Sequence, residues 1–378
     1  MKFAISDSVT NMEGSKILDF LKKIEVMKSK GFDVIRLDIG DPDFRTPKKI
    51  TDAACKLMNE GYTHYGPPLG IPELRTELAR LSGVKTENVI ITPGSKQAVF
   101  YALKTILNPG EEVILPIPGW LEYEGPIMLS GGKVIFSRCT QDFQPDIDDI
   151  KKKITKKTKA IILNSPNNPT GVVYSRENLR AISEIANDHG LFVISDEVYC
   201  RLVYGMQYPS ISEFMRLEEG LIIVNSFSKT YAMTGWRLGY AIASPELIEN
   251  FSKIQVHTVV APTTFSQYAA LVALRECEGD VKKMVAELDE RRKFIMQSLS
   301  DANIEFIEPK GAFYFFIDLS KYFGKKANIA DQLLEKIKIA VVSGEVFGPG
   351  FEGFIRLSYT TTLDRLEIGL KKIISSLH

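Results

Sequence analysis

The sequence predicts an α/β protein in which a mostly parallel β-sheet carries helices on both faces, followed by a smaller α+β unit. Short apolar runs alternate with longer segments whose apolar residues recur at helical spacing. Each run is closed by a Pro, Asn, Asp or Ser residue, as expected where a buried strand meets a loop. The length of 378 residues exceeds one small core and indicates a large and a small domain.

The first two thirds of the chain supply the runs that predict this sheet. They occupy residues 89–92, 113–116, 133–136, 160–164, 191–196 and 221–225. A helical pattern over residues 94–107 follows the first run directly. Buried parallel strands have such continuous apolar character, and ligands of such sheets bind beyond the carboxyl ends of the strands. The polar residues that close the runs are therefore the first candidates for chemistry.

The C-terminal third has a different pattern. Residues 280–299 are charged and helical in spacing, which predicts a long connecting helix. Strands are predicted over residues 311–317 and 353–359, as parts of a smaller α+β domain. We predict an N-terminal arm with part of the small domain over residues 1–44, a large domain over 45–285 and a small domain over 286–378.

Composition and charge limit the possible functions. The chain is 44% hydrophobic and 25% charged, and its formal net charge of +0 gives no overall field for nucleic acid or anionic membranes, so we expect neither partner. The four cysteines form no Cys-x-x-Cys pair and there are only four histidines, so we expect no metal site and no disulfide framework. Without an apolar signal core or a long apolar run, we expect a cytoplasmic protein.

Lys229 is the most informative single residue. It follows the apolar run 221–225, lies among hydroxyl side chains that begin at Ser226, and precedes Arg237 by eight positions. Lysine is usually a solvated surface residue. In this context the amine suits Schiff-base chemistry, with the hydroxyls and the arginine placed to hold a phosphate.

Two further candidates lie at strand ends. Gly94, Ser95 and Lys96 open a helix after the first run, where free N–H groups and the helix dipole attract a phosphate, although a strand-to-helix turn with a Ser cap gives the same pattern. Asp196 closes a buried run and needs a cationic partner such as a protonated pyridine nitrogen, with Tyr199 near the same ring. A helix cap or a structural ion pair is the alternative for Asp196.

Three more residues suit a bound cofactor or substrate. Asn168 precedes Pro169, which keeps it out of a helix and directs its amide over the sheet edge, as a plain Asn-Pro turn also would. Trp120 offers a flat indole for stacking on an aromatic cofactor, although core packing is the usual role of tryptophan. Arg356, in an apolar strand, needs an anion, which is either a substrate carboxylate or a structural Asp or Glu partner.

Together these residues resemble the fold-type-I pyridoxal 5′-phosphate (PLP) enzymes, specifically the class I and II aminotransferases of the prokaryotic aspartate aminotransferase subgroup. The resemblance covers nearly the whole chain and is carried by motifs at residues 37–44, 63–75, 164–171, 195–199, 226–240, 311–314 and 355–359. It implies a seven-stranded sheet in a PLP-binding large domain, and cis peptide bonds before Pro118 and Pro169.

The resemblance also implies residue roles. Lys229 would carry PLP as a Schiff base and move the proton at the substrate α-carbon, while Asp196 would keep the pyridine nitrogen protonated. Tyr199 and Asn168 would hydrogen-bond the ring oxygen, and Trp120 would stack on the ring. The phosphate would be held by Ser95, Lys96, Ser226 and Arg237, with Tyr65 reaching it from the partner subunit of a homodimer. The substrate carboxylate would be held by Gly40, Asn168 and Arg356, with Trp120 also lining the substrate side.

The sequence indicates the substrate less directly than it indicates the cofactor and the reaction. Residues 255–267, where animal-type aspartate aminotransferases place an arginine for the distal carboxylate, contain none. Lys96 matches the lysine that does this work in the prokaryotic subgroup, so we expect a dicarboxylic or broad amino acid donor with 2-oxoglutarate as acceptor. The N-terminal segment 14–20 is apolar and Gly119 stands where Tyr is usual, and both departures widen the pocket for aromatic or aliphatic donors.

Two other functions stay open at this point. A carbon–sulfur β-lyase would use PLP on the same fold and would need no keto-acid acceptor. A non-catalytic effector-binding domain is the third possibility. Regulators of that kind carry an added N-terminal DNA-binding domain, for which we expect no room in the stretch before Gly40.

Overall fold

The fold is built around a seven-stranded sheet, seen in a computed structural model that describes residues 5–10, 14, 16–324 and 328–377, with the backbone alone at 7, 8, 16 and 17. In spatial order the strands are Val89–Thr92, Gly239–Ile242, Leu221–Ser226, Phe192–Asp196, Thr158–Asn164, Glu112–Ile117 and Lys133–Arg138. Gly239–Ile242 is antiparallel to both neighbours, and all other adjacent pairs are parallel. The predicted α/β class and mostly parallel sheet are confirmed.

Each of the six predicted apolar runs falls on a strand of this sheet. The seventh strand, Gly239–Ile242, was missed because its sequence Gly-Tyr-Ala-Ile begins with a residue depleted in strands. The glycine has a packing reason, since a Cβ at Gly239 would lie 2.5 Å from the backbone nitrogen of Ser95. The strand Gly239–Ile242 therefore packs against the loop that precedes the helix Ser95–Ile106.

Helices cover both faces of the sheet. Ser95–Ile106, Glu124–Leu129 and Pro245–Thr258 pack on one face. The opposite face packs against Lys48–Asn59, Pro72–Ser82, Ile147–Lys153, Arg176–His189 and Thr264–Glu276. The remaining α-helices of the described residues are Asp7–Thr10, Lys16–Ser29, Phe227–Thr230, Glu278–Asp301, Ser320–Phe323, Ile329–Ile337 and Leu363–Ser375. None of the helices in the described part of the chain has the length and apolar character needed to cross a membrane.

A smaller antiparallel sheet forms the C-terminal unit. Its strands, in order, are Val342–Ser343, Phe354–Ser358 and Tyr314–Asp318. The N-terminal strand Ile35–Arg36 pairs in parallel with Ile339–Ala340, so the arm joins this unit. Both C-terminal strands and the long helix Glu278–Asp301 match the sequence predictions. The domain boundaries at residues 44 and 285 stay predictions, and residue 285 falls inside that helix.

Three X-Pro peptide bonds are cis in the part of the chain that the structure describes. Those before Pro118 and Pro169 were predicted and are confirmed, whereas the one between Ser165 and Pro166 was not predicted. All three lie in loops that follow the strands Glu112–Ile117 and Thr158–Asn164. They shape the loops at the carboxyl edge of the sheet.

Candidate active site

A cavity of about 420 Å³ lies beyond the carboxyl ends of the central strands. Asn164, Asp196 and Ser226 are the last residues of three neighbouring strands, and all three line it. Tyr314 and Arg356, from the smaller sheet, complete the wall. A ligand of a parallel sheet is expected at this place.

This cavity collects the predicted site. Every predicted site residue except Tyr65 lines it, namely Gly40, Ser95, Lys96, Trp120, Asn168, Asp196, Tyr199, Ser226, Lys229, Arg237 and Arg356. Tyr65 is 87% exposed and lies outside it. A larger cavity of about 970 Å³ shares only Ser226 with this set, so we place the chemistry in the smaller one.

Lys229 is held by a short helix and an N-terminal carbonyl. The helix Phe227–Thr230 begins after Ser226, whose Oγ accepts a hydrogen bond from the backbone N–H of Ser228 at 3.3 Å. The Nζ of Lys229 donates to the carbonyl oxygen of Gly40 at 2.6 Å. The amine is therefore fixed at the junction of the large sheet and the N-terminal arm.

The surroundings of Lys229 make its amine easier to deprotonate. Burial is the main cause, and it lowers the pKa of Lys229 to about 8. Asp41 opposes this shift, while the positive charges of Arg356 and Arg237 reinforce it. Much more of the amine is neutral at physiological pH than in a surface lysine, and only the neutral amine is a nucleophile or base.

Asp196 has a partner that the sequence analysis missed. The hydroxyl of Tyr123 donates to its Oδ2 at 2.6 Å, and the backbone N–H of Val198 donates to Oδ1 at 3.3 Å. Burial raises the pKa of Asp196 to about 6, and both hydrogen bonds limit the rise. A cation next to this carboxylate, such as a ring N–H⁺, would lower its pKa. The sequence signal for Tyr123 was its place three residues after Trp120, within the same loop.

Arg356 is a buried cation that lacks a carboxylate among the described residues. Its side chain donates to Oδ1 of Asn168 at 3.0 Å and to the carbonyl oxygen of Asp38 at 2.6 Å. The Nε atom is buried without a hydrogen-bond partner in the described part of the chain, and the guanidinium lies 4.5 Å from the ring centre of Tyr314. A buried guanidinium in this state favours an incoming anion, and its shape suits a carboxylate.

Tyr314 connects this arginine to the other tyrosine of the site. Its hydroxyl lies 2.9 Å from the hydroxyl of Tyr199, and both side chains are buried. A Cβ at Gly40 would lie 2.8 Å from the same Tyr314 oxygen. A side chain at Gly40 would therefore displace Tyr314 where the arm passes it. The sequence signal for Tyr314 itself was its place in the 311–314 motif, but no signal marked its pairing with Tyr199.

Arg237 and the loop before Ser95 form a pocket suited to a phosphate. Gly94 has φ +84, and a Cβ there would collide with the guanidinium of Arg237, whose Cζ would lie at 3.0 Å. Arg237 Nη1 donates to the carbonyl oxygen of Thr234 at 2.9 Å. Ser95 begins the helix Ser95–Ile106, and Ser95 and Lys96 of its first turn, where N–H groups lack partners within the helix, line the same cavity. These groups fit PLP, because a helix N-terminus and an arginine suit a phosphate.

Trp120 and Lys96 form the outer wall. The Trp120 ring packs edge-on against Tyr123 with centres 4.9 Å apart. The Nζ of Lys96 lies 5.3 Å from the centre of the Trp120 ring and 2.8 Å from Oε2 of Glu122. Sequence analysis did not identify Glu122.

The N-terminal side contributes another pair that sequence analysis did not identify. Arg36 donates from Nε and Nη2 to the two carboxylate oxygens of Asp38, at 2.6 and 2.8 Å, and both residues line the cavity. Leu21 lines it as well. The predicted apolar gate over 14–20 falls partly outside the described residues, at residue 15 and at the side chains of 16 and 17.

Fold and site together define a Schiff-base enzyme that uses PLP. The family described as "Aminotransferase class I and II" matches residues 33–373. The chain therefore belongs to the class I and II aminotransferases and is a PLP-dependent aminotransferase. The non-catalytic alternative is excluded.

Similar proteins carry related names. An aspartate aminotransferase of Thermotoga maritima is 38% identical over 377 residues, which cover 98% of each chain. The aromatic-amino-acid aminotransferase 2 of Thermococcus litoralis is 35% identical and covers 98% of this chain and 97% of its own. The structure of the Thermus thermophilus aspartate aminotransferase with maleate has a TM-score of 0.94 at 34% identity, covering 99% of this chain and 100% of that one.

Proposed function

We propose that the chain transfers the amino group of an L-amino acid, aspartate or a broader set that includes aromatic donors, to 2-oxoglutarate. Arg356 carries this proposal, because a buried guanidinium without a carboxylate partner among the described residues fits the α-carboxylate common to all amino acids. The names of the relatives from T. maritima and T. litoralis support the two classes of donor.

PLP would be held along its whole length. The phosphate would bind Ser226, Arg237 and the backbone of Ser95 and Lys96, and the ring would lie against Trp120. Asp196 would contact the pyridine nitrogen, and Tyr199 and Asn168 the ring oxygen. When bound, PLP supplies an electron-withdrawing ring that stabilises negative charge at the substrate α-carbon.

Lys229 then acts on the substrate proton. Its Nζ, with a pKa lowered to about 8, takes the proton from the substrate α-carbon and returns it on the product side. The carbonyl oxygen of Gly40 accepts a 2.6 Å hydrogen bond from the free amine, so Nζ lies beside the residues that would hold the substrate carboxylate. Asp196, kept in position by Tyr123, would hold the proton on the ring nitrogen of bound PLP.

The α-carboxylate fixes the direction of the substrate. Arg356 and Asn168 offer a bidentate cation and an amide, and the Gly40 backbone lies beside them. Both carboxylate contacts come from elements whose side chains are buried, so the anion site is rigid. A carboxylate anchored there would restrict the orientations that the substrate can take beside Lys229.

We also propose a homodimer with shared sites. Tyr62, Tyr65, Val259 and Val260 are exposed, and a hydrogen bond from Thr264 to the carbonyl of His64 brings their segments together. Clustered exposed apolar residues of this kind mark an interface. Tyr65 would then reach the phosphate of the partner's site. We further propose a cytoplasmic location, which the four free cysteines fit.

A donor panel tests this function. Purified holoenzyme is incubated with 2-oxoglutarate and each of aspartate, phenylalanine, tyrosine and alanine, and glutamate formation is followed. Glutamate from aspartate or the aromatic donors is expected. Pyruvate and ammonia from cystathionine without any acceptor, with no glutamate from the panel, would replace the proposal by the β-lyase.

A further inference from the structure

Five cationic side chains line the active-site cavity in the described part of the chain. Lys229, Arg237 and Arg356 already have roles in the proposed function. Arg36 and Lys96 remain, and each faces an acidic partner. A distal carboxylate of the substrate binds most readily to a cation whose own partner is easily displaced.

Arg36 is not released easily. It holds both oxygens of Asp38 through Nε and Nη2, and the two side chains are only 19% and 4% exposed. Breaking a buried bidentate pair leaves Asp38 charged and unpaired, which is strongly unfavourable. Arg36 therefore stays with Asp38 whatever the substrate.

Lys96 is bound differently. Its Nζ makes a 2.8 Å contact to one oxygen of Glu122, and the two side chains are 47% and 32% exposed. Half-exposed lysine pairs of this type are weak and exchange readily, because the ammonium rotates on a flexible stem. The same Nζ lies 5.3 Å from the Trp120 ring, so it already faces the cavity wall.

We propose that Glu122 is a specificity-determining residue that occupies Lys96 in place of a substrate carboxylate. When an apolar or aromatic donor is bound, Glu122 keeps Lys96 paired. When a dicarboxylic substrate is bound, its distal carboxylate displaces Glu122 from Lys96. The same site thereby accepts apolar or aromatic donors as well as dicarboxylic substrates. The proposed reaction requires this, because its acceptor, 2-oxoglutarate, is dicarboxylic. The inference rests on the proposed function and identifies what sets its donor range.

The charge of Glu122 acts in opposite directions on dicarboxylic and on apolar substrates. A distal carboxylate must compete with Glu122 and is also repelled by it, so Glu122 weakens binding of dicarboxylic substrates. Without Glu122, an apolar side chain would cover a lysine that has lost this counter-charge, so Glu122 favours apolar donors. A merely structural role would change both classes alike.

Glu122→Gln tests the proposal, because it keeps the shape and removes the charge. Dissociation constants of succinate and of 3-phenylpropanoate, neither of which has an amino group to transfer, are measured on holoenzyme by titration calorimetry. We expect the variant to bind succinate roughly three- to tenfold more tightly, as for one charge at a partly exposed site, with unchanged or weaker binding of 3-phenylpropanoate. Equal succinate affinity in the two proteins would overturn the proposal.

A double-mutant cycle isolates Lys96. In a Lys96→Met background, Glu122→Gln should no longer tighten succinate binding, and a gain that persists there would also refute the proposal. Glu184→Gln removes an exposed charge on the helix Arg176–His189, away from the cavity, and should leave both constants unchanged. These titrations measure binding and not turnover. A donor panel that yields no glutamate would therefore refute the proposed function without affecting the test of Glu122.

Discussion

The hydroxyl of Tyr123 donates a 2.6 Å hydrogen bond to Asp196, and both side chains are almost fully buried. The bond links the loop that carries Trp120 to the end of the strand Phe192–Asp196. Burial also raises the pKa of Tyr123 well above its ordinary value, so this hydroxyl stays a donor. Asp196 is thus held in place by a group that does not itself change charge in the working pH range.

Tyr123→Phe should move the acidic limb of the pH–rate profile to higher pH. The hydrogen bond opposes the effect of burial on the pKa of Asp196, so its loss raises that pKa. A bond to a charged group corresponds to a shift of about one pH unit or somewhat more. Profiles of kcat/KM for both proteins measure the shift. Tyr101→Phe, a buried tyrosine outside the cavity, serves as control, and an unmoved limb in Tyr123→Phe would contradict the role of the bond.

Lys229→Ala should abolish turnover. Removal of a general base usually lowers the rate about 10²- to 10⁴-fold, and here the covalent attachment of PLP is lost as well. The measurements are turnover with the best donor and the visible absorbance of the protein after dialysis. Lys104→Ala changes an exposed lysine on the helix Ser95–Ile106 and should behave as the parent. More than about a hundredth of the parent rate in Lys229→Ala would remove the lysine from its role.

Gly40→Ala should weaken substrate binding without unfolding the protein. The added Cβ would lie 2.8 Å from the Tyr314 hydroxyl and 4.0 Å from Nη2 of Arg356, so the tyrosine must move. We expect KM for every donor to rise roughly tenfold, the equivalent of about 1.4 kcal/mol. Gly279→Ala is the matched control, because its Cβ would meet no atom within 4 Å. Equal KM values in the two variants would show that the site tolerates a methyl group at position 40 and would contradict the prediction.

Glu197→Gln should flatten the pH dependence of stability in cofactor-free protein. Burial raises the pKa of Glu197 from 4.5 to about 7, so the folded state binds its proton more tightly than the unfolded state does. The resulting stability is fully present below about pH 4.5 and is lost as pH rises through about 7. Ser195 and Ser210, which donate to its Oε1 at 3.0 and 2.8 Å, can equally donate to an amide oxygen.

Urea denaturation at pH 5 and pH 8 measures this effect. The parent should lose more stability between the two values than Glu197→Gln does. Asp196 contributes in the same direction, because its pKa is also raised, so some slope remains in the variant. Identical slopes would mean that Glu197 titrates as it does in the unfolded chain.

The sheet and the charged centre of the site were predictable from sequence because their signals are local. Lys229 and Asp196 each end or follow an apolar run, so position relative to a strand identifies them. Gly239–Ile242 lacks such a run and was missed. The role of Tyr65 stays a prediction, since it depends on a second copy of the chain.

The second layer of contacts was not predictable, because it depends on packing between distant segments. Tyr314 meets Tyr199 across 115 positions, and nothing near either residue marks the pairing. Backbone acceptors are harder still, since the carbonyl oxygen of Asp38 that holds Arg356 would exist with any residue there. Glu122 was not identified either, because its contact with Lys96 joins residues 26 positions apart.

The contact between Lys229 and Gly40 joins residues 189 positions apart, and the one between Arg356 and Asp38 spans 318. No short segment of the chain therefore contains both the Lys229 amine and the residues that would bind the substrate carboxylate. Contacts of such long sequence separation are the slowest to assemble. Recovered transamination after refolding is thus a stringent report of a completed tertiary structure, whereas regained helix content is not.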